Sequence, residues 1–137
     1  MTDLLTRIER GEPVEAQEVF DFAVGKVIEQ GAPALSADNF CAYRGDLGRK
    51  CAFGHLIPDS LYESRFEGSS AYAILCHNVG SRYSSRLAAS LEQHSDLVVE
   101  LQQTHDNLST ENLCSFVDNF RQRAETVAKD HGLTFKF

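Results

Sequence analysis

No apolar run in this chain approaches the length of a membrane span. Residues 1–10 carry no apolar h-region, which reads as the absence of a secretory signal. The four cysteines (Cys41, Cys51, Cys76 and Cys114) are therefore expected to be reduced thiols in a cytoplasmic protein. None of them forms a C-x2-C knuckle, so a zinc-ribbon or finger is not indicated. Basic residues are scarce: 13 Lys and Arg stand against 20 Asp and Glu, and a net charge of −7 argues against general nucleic-acid binding. No Gly-Lys-Ser/Thr follows a glycine at Walker spacing, and no G-x-S-x-G elbow appears. Internal repeats, low-complexity tracts and linkers are absent too, which leaves a single domain over 1–137.

The patterns that are present are mostly helical. A chain with 42% apolar and 24% charged residues has the composition of a globular protein. A short helix is expected over residues 3–10, with Leu4, Leu5 and Ile8 on one face and Gly11 at its end. Pro13 opens a second helix, whose stripe runs through Ala16, Val19, Phe20, Ala23, Val24, Val27 and Ile28 to a stop at Gly31 and Pro33. A short helix fits 71–77. Beyond Gly80, Leu87, Leu91, His94, Val98, Leu101, His105 and Leu108 recur at steps of four and three. Ser95-Asp96, both cap-favouring residues, can break that run into two helices, and the spacing leaves one helix or two over 84–108 open. A last helix, starting at Ser109 or Thr110, carries Leu113, Phe116, Val117, Phe120, Ala124, Val127 and Ala128 inward, and Gly132-Leu133 fits a Schellman end.

Residues 41–59 break the helical pattern. They read as a β-hairpin over about 41–57, turning on Asp46-Leu47-Gly48, with Pro58 ending it. In the register that best separates apolar from charged side chains, Arg44 lies opposite Lys50 and Tyr43 opposite Cys51. Cys41, Tyr43, Cys51, Phe53 and His55 then share the inner face. The expected fold is α+β, mostly α: about five helices with this hairpin packed on them.

Four candidate sites follow. A zinc site would draw on Cys41, Cys51 and His55, with Cys76 or His77 as fourth ligand, because thiolates and imidazoles are zinc's preferred donors. The alternative is that these thiols are small core residues. Acid–base chemistry would use His94, His105 and Asp106, although a histidine on an apolar helix line commonly makes one buried hydrogen bond. Gly45-x-x-Gly48-Arg49-Lys50 resembles a phosphate cradle but is explained as well by a plain turn with a basic tip. Finally, Arg82 and Arg86 flank a helix start, an arrangement suited to anions. Residues 44–86 hold six basic groups against four acidic ones, a cationic middle on an acidic body.

The run Cys41-Ala42-Tyr43-Arg44-Gly45, then Gly48-Arg49-Lys50-Cys51-Ala52-Phe53-Gly54, then Leu56-Ile57-Pro58-Asp59 and Tyr62, resembles a group of small proteins from phages and bacterial genomes. They share roughly a C-x-YRG-x-x-G-x-KCA-x-G-x-LIPD-x-x-Y pattern. Leu101-Gln102-x-x-His105-Asp106 and Ala128-x-x-His131-Gly132-Leu133 extend the resemblance over most of the chain beyond residue 40. Those proteins often carry cysteine at the position of His55, an exchange that would keep a zinc ligand. The resemblance brings no established activity, and implies an accessory, anti-defence type of protein acting on a host component. The leading expectation is a non-enzymatic binding protein that engages a host protein or a small anionic ligand such as a nucleotide. Arg44, Lys50, Arg82 and Arg86 would contact the anion, and Tyr43 or Tyr83 would stack. The alternatives are a small metal- or histidine-dependent phosphodiester hydrolase and a zinc-stapled or purely structural interaction module.

Overall fold

The structure is a computed structural model that describes residues 3–38, 40–77, 84–109 and 113–137. Asp3 caps the first helix, α1 (Leu4–Glu9), its carboxylate accepting the Thr6 amide at 2.9 Å. α2 (Ala16–Gln30) follows, with the Glu18 carboxylate receiving the Glu15 amide at 3.0 Å and Arg7 of α1 at 2.6 Å. Then come α3 (Ala52–Leu56), α4 (Ala71–Cys76), α5 (Ser84–Leu91), α6 (Ser95–Leu108) and α7 (Phe116–Asp130). Single 3-10 turns at Asp46–Gly48, Asp59–Leu61, Ser64–Phe66, Glu92–His94 and Leu113–Ser115 fill the connections. The long periodic run does break at Ser95, where a 3-10 turn separates α5 from α6. The Leu133 amide reaches back to the Ala128 carbonyl at 2.8 Å, closing α7 with the Schellman geometry.

α6 sits at the centre, packed on α2, α3, α4 and α7, while α1 lies on α5. The core is one cluster running from Leu4 and Ile8 through Phe20, Phe53, Phe66, Ile74 and Leu101 to Phe116 and Phe120. No helix among the described residues is long and apolar enough to cross a membrane.

The expected β-hairpin is not there, and the fold is helical rather than α+β. Among the described residues, one isolated bridge, Leu35 to Cys41, is all the β pairing present. The chain does turn at Asp46–Gly48, with Gly48 at φ 72° and the Gly45 amide on the Arg49 carbonyl at 2.8 Å, but as a 3-10 turn in which Leu47 too is left-handed, at φ 62°, rather than as a hairpin loop. The arms fail to pair because their backbone groups are taken elsewhere. The Ala42 amide goes to the Ala34 carbonyl at 3.1 Å. The Tyr43 and Arg44 amides go to the two oxygens of Glu67, at 3.0 and 3.1 Å. Gln30 takes both the amide and the carbonyl of Lys50, at 2.8 and 2.9 Å.

The second arm then becomes helix α3. Cys51 caps it, its sulfur accepting the Gly54 amide at 3.3 Å. Gly54 is required there, since a Cβ would lie 2.4 Å from the Tyr43 carbonyl oxygen. Tyr43, Cys51 and Phe53 are buried as expected, but so are Ala42, Ala52 and Gly54 of the face expected to point outward.

Candidate functional site

A cleft of about 360 Å³ opens where the 41–43 segment, the 67–72 segment and α6 meet. α6 supplies one wall through Val99, Gln102, Gln103 and Asp106, a spacing of three, one and three that keeps them on one helical face. Glu67, Gly68, Ser69, Ser70, Ala71 and Tyr72 form the facing wall. Ser70 caps α4 by accepting the Ala73 amide at 3.0 Å, which fixes where this wall turns. Cys41, Ala42 and Tyr43 complete the lining, and the Tyr43 hydroxyl donates to the Ser69 carbonyl, tying it to the wall.

Two carboxylates line the cleft, and their states differ. Glu67 is fully engaged: besides the two backbone amides it accepts the Tyr62 hydroxyl at 2.6 Å. Asp106 is 38% exposed, and its Oδ1 accepts the Gln102 side-chain amide and the His105 Nδ1, both at 2.9 Å. Each donor is itself oriented. Gln102 accepts the Phe53 amide at 2.8 Å, which settles which end of its side chain faces Asp106. His105 is fully buried, and its Nε2 accepts the Ala34 amide at 3.0 Å. The imidazole therefore carries its proton on Nδ1 and donates it to Asp106. Among the described residues, nothing bonds the second oxygen of Asp106. Among the described residues, no Lys, Arg or His lines the cleft.

The same geometry decides what the thiol and imidazole beside the cleft can do. Cys41, His105 and Asp106 bring one donor atom each within 4.8 Å of one another. This set shares only Cys41 with the expected zinc ligands. A metal on Nδ1 would leave the His105 proton on Nε2, pointing at the Ala34 N–H, so the imidazole does not fit the role of ligand. Nor can it act as a base toward Cys41, because its acceptor nitrogen is occupied by Ala34. The Ser109 hydroxyl donates to the Asp106 carbonyl at 2.7 Å, so across the 2.9 Å contact with Ser109 the Cys41 thiol is the donor. Burial pushes this thiol above its ordinary pKa, which keeps it protonated.

The other expected ligands lie apart. Cys51 is in the core as the cap of α3, its thiol pushed up by burial to about 12. His55 has its Nε2 buried without a hydrogen-bond partner, and burial followed by the charges of Lys50, Lys26 and Arg44 lowers its pKa to about 4. Cys76 sits half-buried at the end of α4, followed by exposed His77.

The expected anion contacts also separate. Arg44 is a staple: it donates to the Gly54 and Ile57 carbonyls at 2.7 Å each, bonds Asp59 at 3.2 Å, and stacks 4.6 Å over the Tyr62 ring. Lys50 faces the same Asp59 at 3.7 Å. Arg86 is exposed on α5. Arg82 and Tyr83 lie outside the described residues. Tyr43, of that set, does line the cleft. His94 donates its Nε2 proton to the Val14 carbonyl, 2.7 Å away, a part-buried structural bond.

Gln102, Gln103 and Asp106 escaped notice as a binding face. Their signal was a row of polar residues on a helix whose other side is apolar, visible once Val99 is aligned with them. Compared with known proteins, the chain matches no family model, no curated protein and no solved structure.

Proposed function

We propose that the chain is a non-enzymatic binding protein whose small-molecule site is the cleft between α6 and the 67–72 segment. The observation that carries this reading is Asp106. A carboxylate held from behind by two oriented donors, with its other oxygen unspent in a cleft, is a preorganised recognition group. The neighbouring thiol and imidazole are committed to internal bonds, which favours binding over covalent or acid–base chemistry. Arg44 and Lys50 support the fold through Asp59 and backbone carbonyls, so the site is moved from the basic loop to the cleft.

Cys41 provides the assay, since it lines the cleft, and exposed Cys114, which is not among the lining residues, serves as the internal reference. A fragment library spanning amines, amides, carboxylates and phosphates is screened by thermal shift and by mass-spectrometric alkylation rates with N-ethylmaleimide. Occupancy slows Cys41 and leaves Cys114 unchanged. If no fragment of any class slows Cys41 selectively, the cleft is not a ligand site.

A further inference from the structure

Resting on that reading, we infer that the cleft selects a small protonated amine with a compact apolar arm. The ammonium would sit on the free oxygen of Asp106, and the arm would lie across Ala42, Val99 and the half-exposed ring of Tyr72.

The count of free donors and acceptors supports this charge. The Tyr43 hydroxyl is spent on Ser69, the Cys41 thiol on Ser109, and the Gln102 amide on Asp106. Ser69 directs its hydroxyl to the Arg65 carbonyl at 3.5 Å. Among the described residues, the charged groups left to a ligand are Asp106, with its free oxygen, and a second carboxylate, Glu67; the Gln103 side chain and the Ser70 hydroxyl stand beside them as neutral partners. No lining cation among the described residues offsets the two carboxylates. An anionic ligand would meet two like charges in a confined space, whereas a cation meets an oriented carboxylate and an aromatic ring. Apolar atoms dominate the remaining lining, which suits a hydrocarbon arm and limits the polar part of the ligand to one end.

The substitution Asp106→Asn tests the assignment directly. Its carbonyl oxygen can keep the bonds from Gln102 and His105, so the network survives, while the free acceptor becomes an N–H2 donor. Gln103→Lys, at an exposed position on the same wall, adds a cation without touching that network. The probes are phenethylamine, 2-phenylethanol and 3-phenylpropionate, read by Cys41 alkylation and titration calorimetry. Phenethylamine should protect Cys41 at concentrations where the other two do not. Asp106→Asn should weaken it by about tenfold or more, the loss of one charge-assisted bond, and Gln103→Lys should weaken it through like-charge repulsion. Equal or better protection by the alcohol or the carboxylate overturns the amine assignment and leaves the cleft a ligand site. So does unchanged amine affinity in both variants. Protection by none of the three, with none from the wider library, removes the site and the assignment together.

Discussion

Replacing Gly54 by alanine sets two well-defined effects against each other. In an ordinary helix the change stabilises by up to about 1 kcal/mol. Here the new Cβ would stand 2.4 Å from the Tyr43 carbonyl oxygen and 3.2 Å from the Cys51 sulfur. Both neighbours are buried, Tyr43 at 6% exposure and Cys51 at 0%, so neither side chain can swing into solvent. Relief requires the 42–44 backbone to withdraw by about 1 Å, judged against ordinary van der Waals separation. That movement pulls the Tyr43 and Arg44 amides from Glu67 and loosens Arg44 from the Gly54 carbonyl. Hydrogen bonds to a charged group are worth about 1.5–3 kcal/mol each, so weakening two of them outweighs the helical gain. The expected net loss is about 3 kcal/mol, a factor above 100 in the folding equilibrium. Urea unfolding followed by far-UV circular dichroism measures it as a lower midpoint at unchanged slope. Gly25→Ala on α2 is the control: its Cβ meets only the end of the Phe137 ring at 3.2 Å, and its effect should stay within about 1 kcal/mol. A Gly54→Ala protein as stable as the parent would refute the close-approach argument.

Leu47 has φ 62° and is 84% exposed, so Leu47→Asn relieves a left-handed leucine at no cost in burial and should stabilise by about 0.5–1 kcal/mol in the same assay. His55 titrates near 6.5 when unfolded and near 4 when folded, so the unfolded chain binds its proton first. Stability is therefore full above pH 6.5 and falls as pH drops toward 4, by on the order of 2 kcal/mol after discounting for partial exposure. Unfolding midpoints at pH 7 and 4.5 should differ less in His55→Gln than in the parent; an equal difference would clear His55 of the effect. Cys51→Ala removes the α3 cap and leaves a small cavity in the core, costing about 2–3 kcal/mol in thermal unfolding. In the folded parent, Cys51 should resist alkylation under conditions that modify Cys114, because it is fully buried.

The helices were legible because their signal is local. The stripes of α2, α6 and α7 and the stop at Gly31 follow from residue spacing alone. Residues 41–57 were misread because their alternation of apolar and polar side chains matches a strand, while the groups that prevent pairing come from far along the chain. Gln30, Glu67 and Gln102 each insert a side chain where a neighbouring strand would have been, at Lys50, at Tyr43 and Arg44, and at Phe53. Exposed-looking glutamines and a glutamate carry no mark of that role in a sequence. The same blindness affected the site. The hairpin register puts Arg44 on an outer face as an anion contact, and the sequence marks Asp106 only as a partner in acid–base chemistry.

The three side chains that stand in for a strand also set when this segment can exist. Lys50 is held from α2, Phe53 from α6, and Tyr43 with Arg44 from the loop before α4. Its backbone bonds depend on those separate pieces having assembled, so the segment is expected to order late in folding. Hydrogen exchange at the Lys50, Phe53, Tyr43 and Arg44 amides then times the letting-go of single side chains, and not the melting of any helix or sheet.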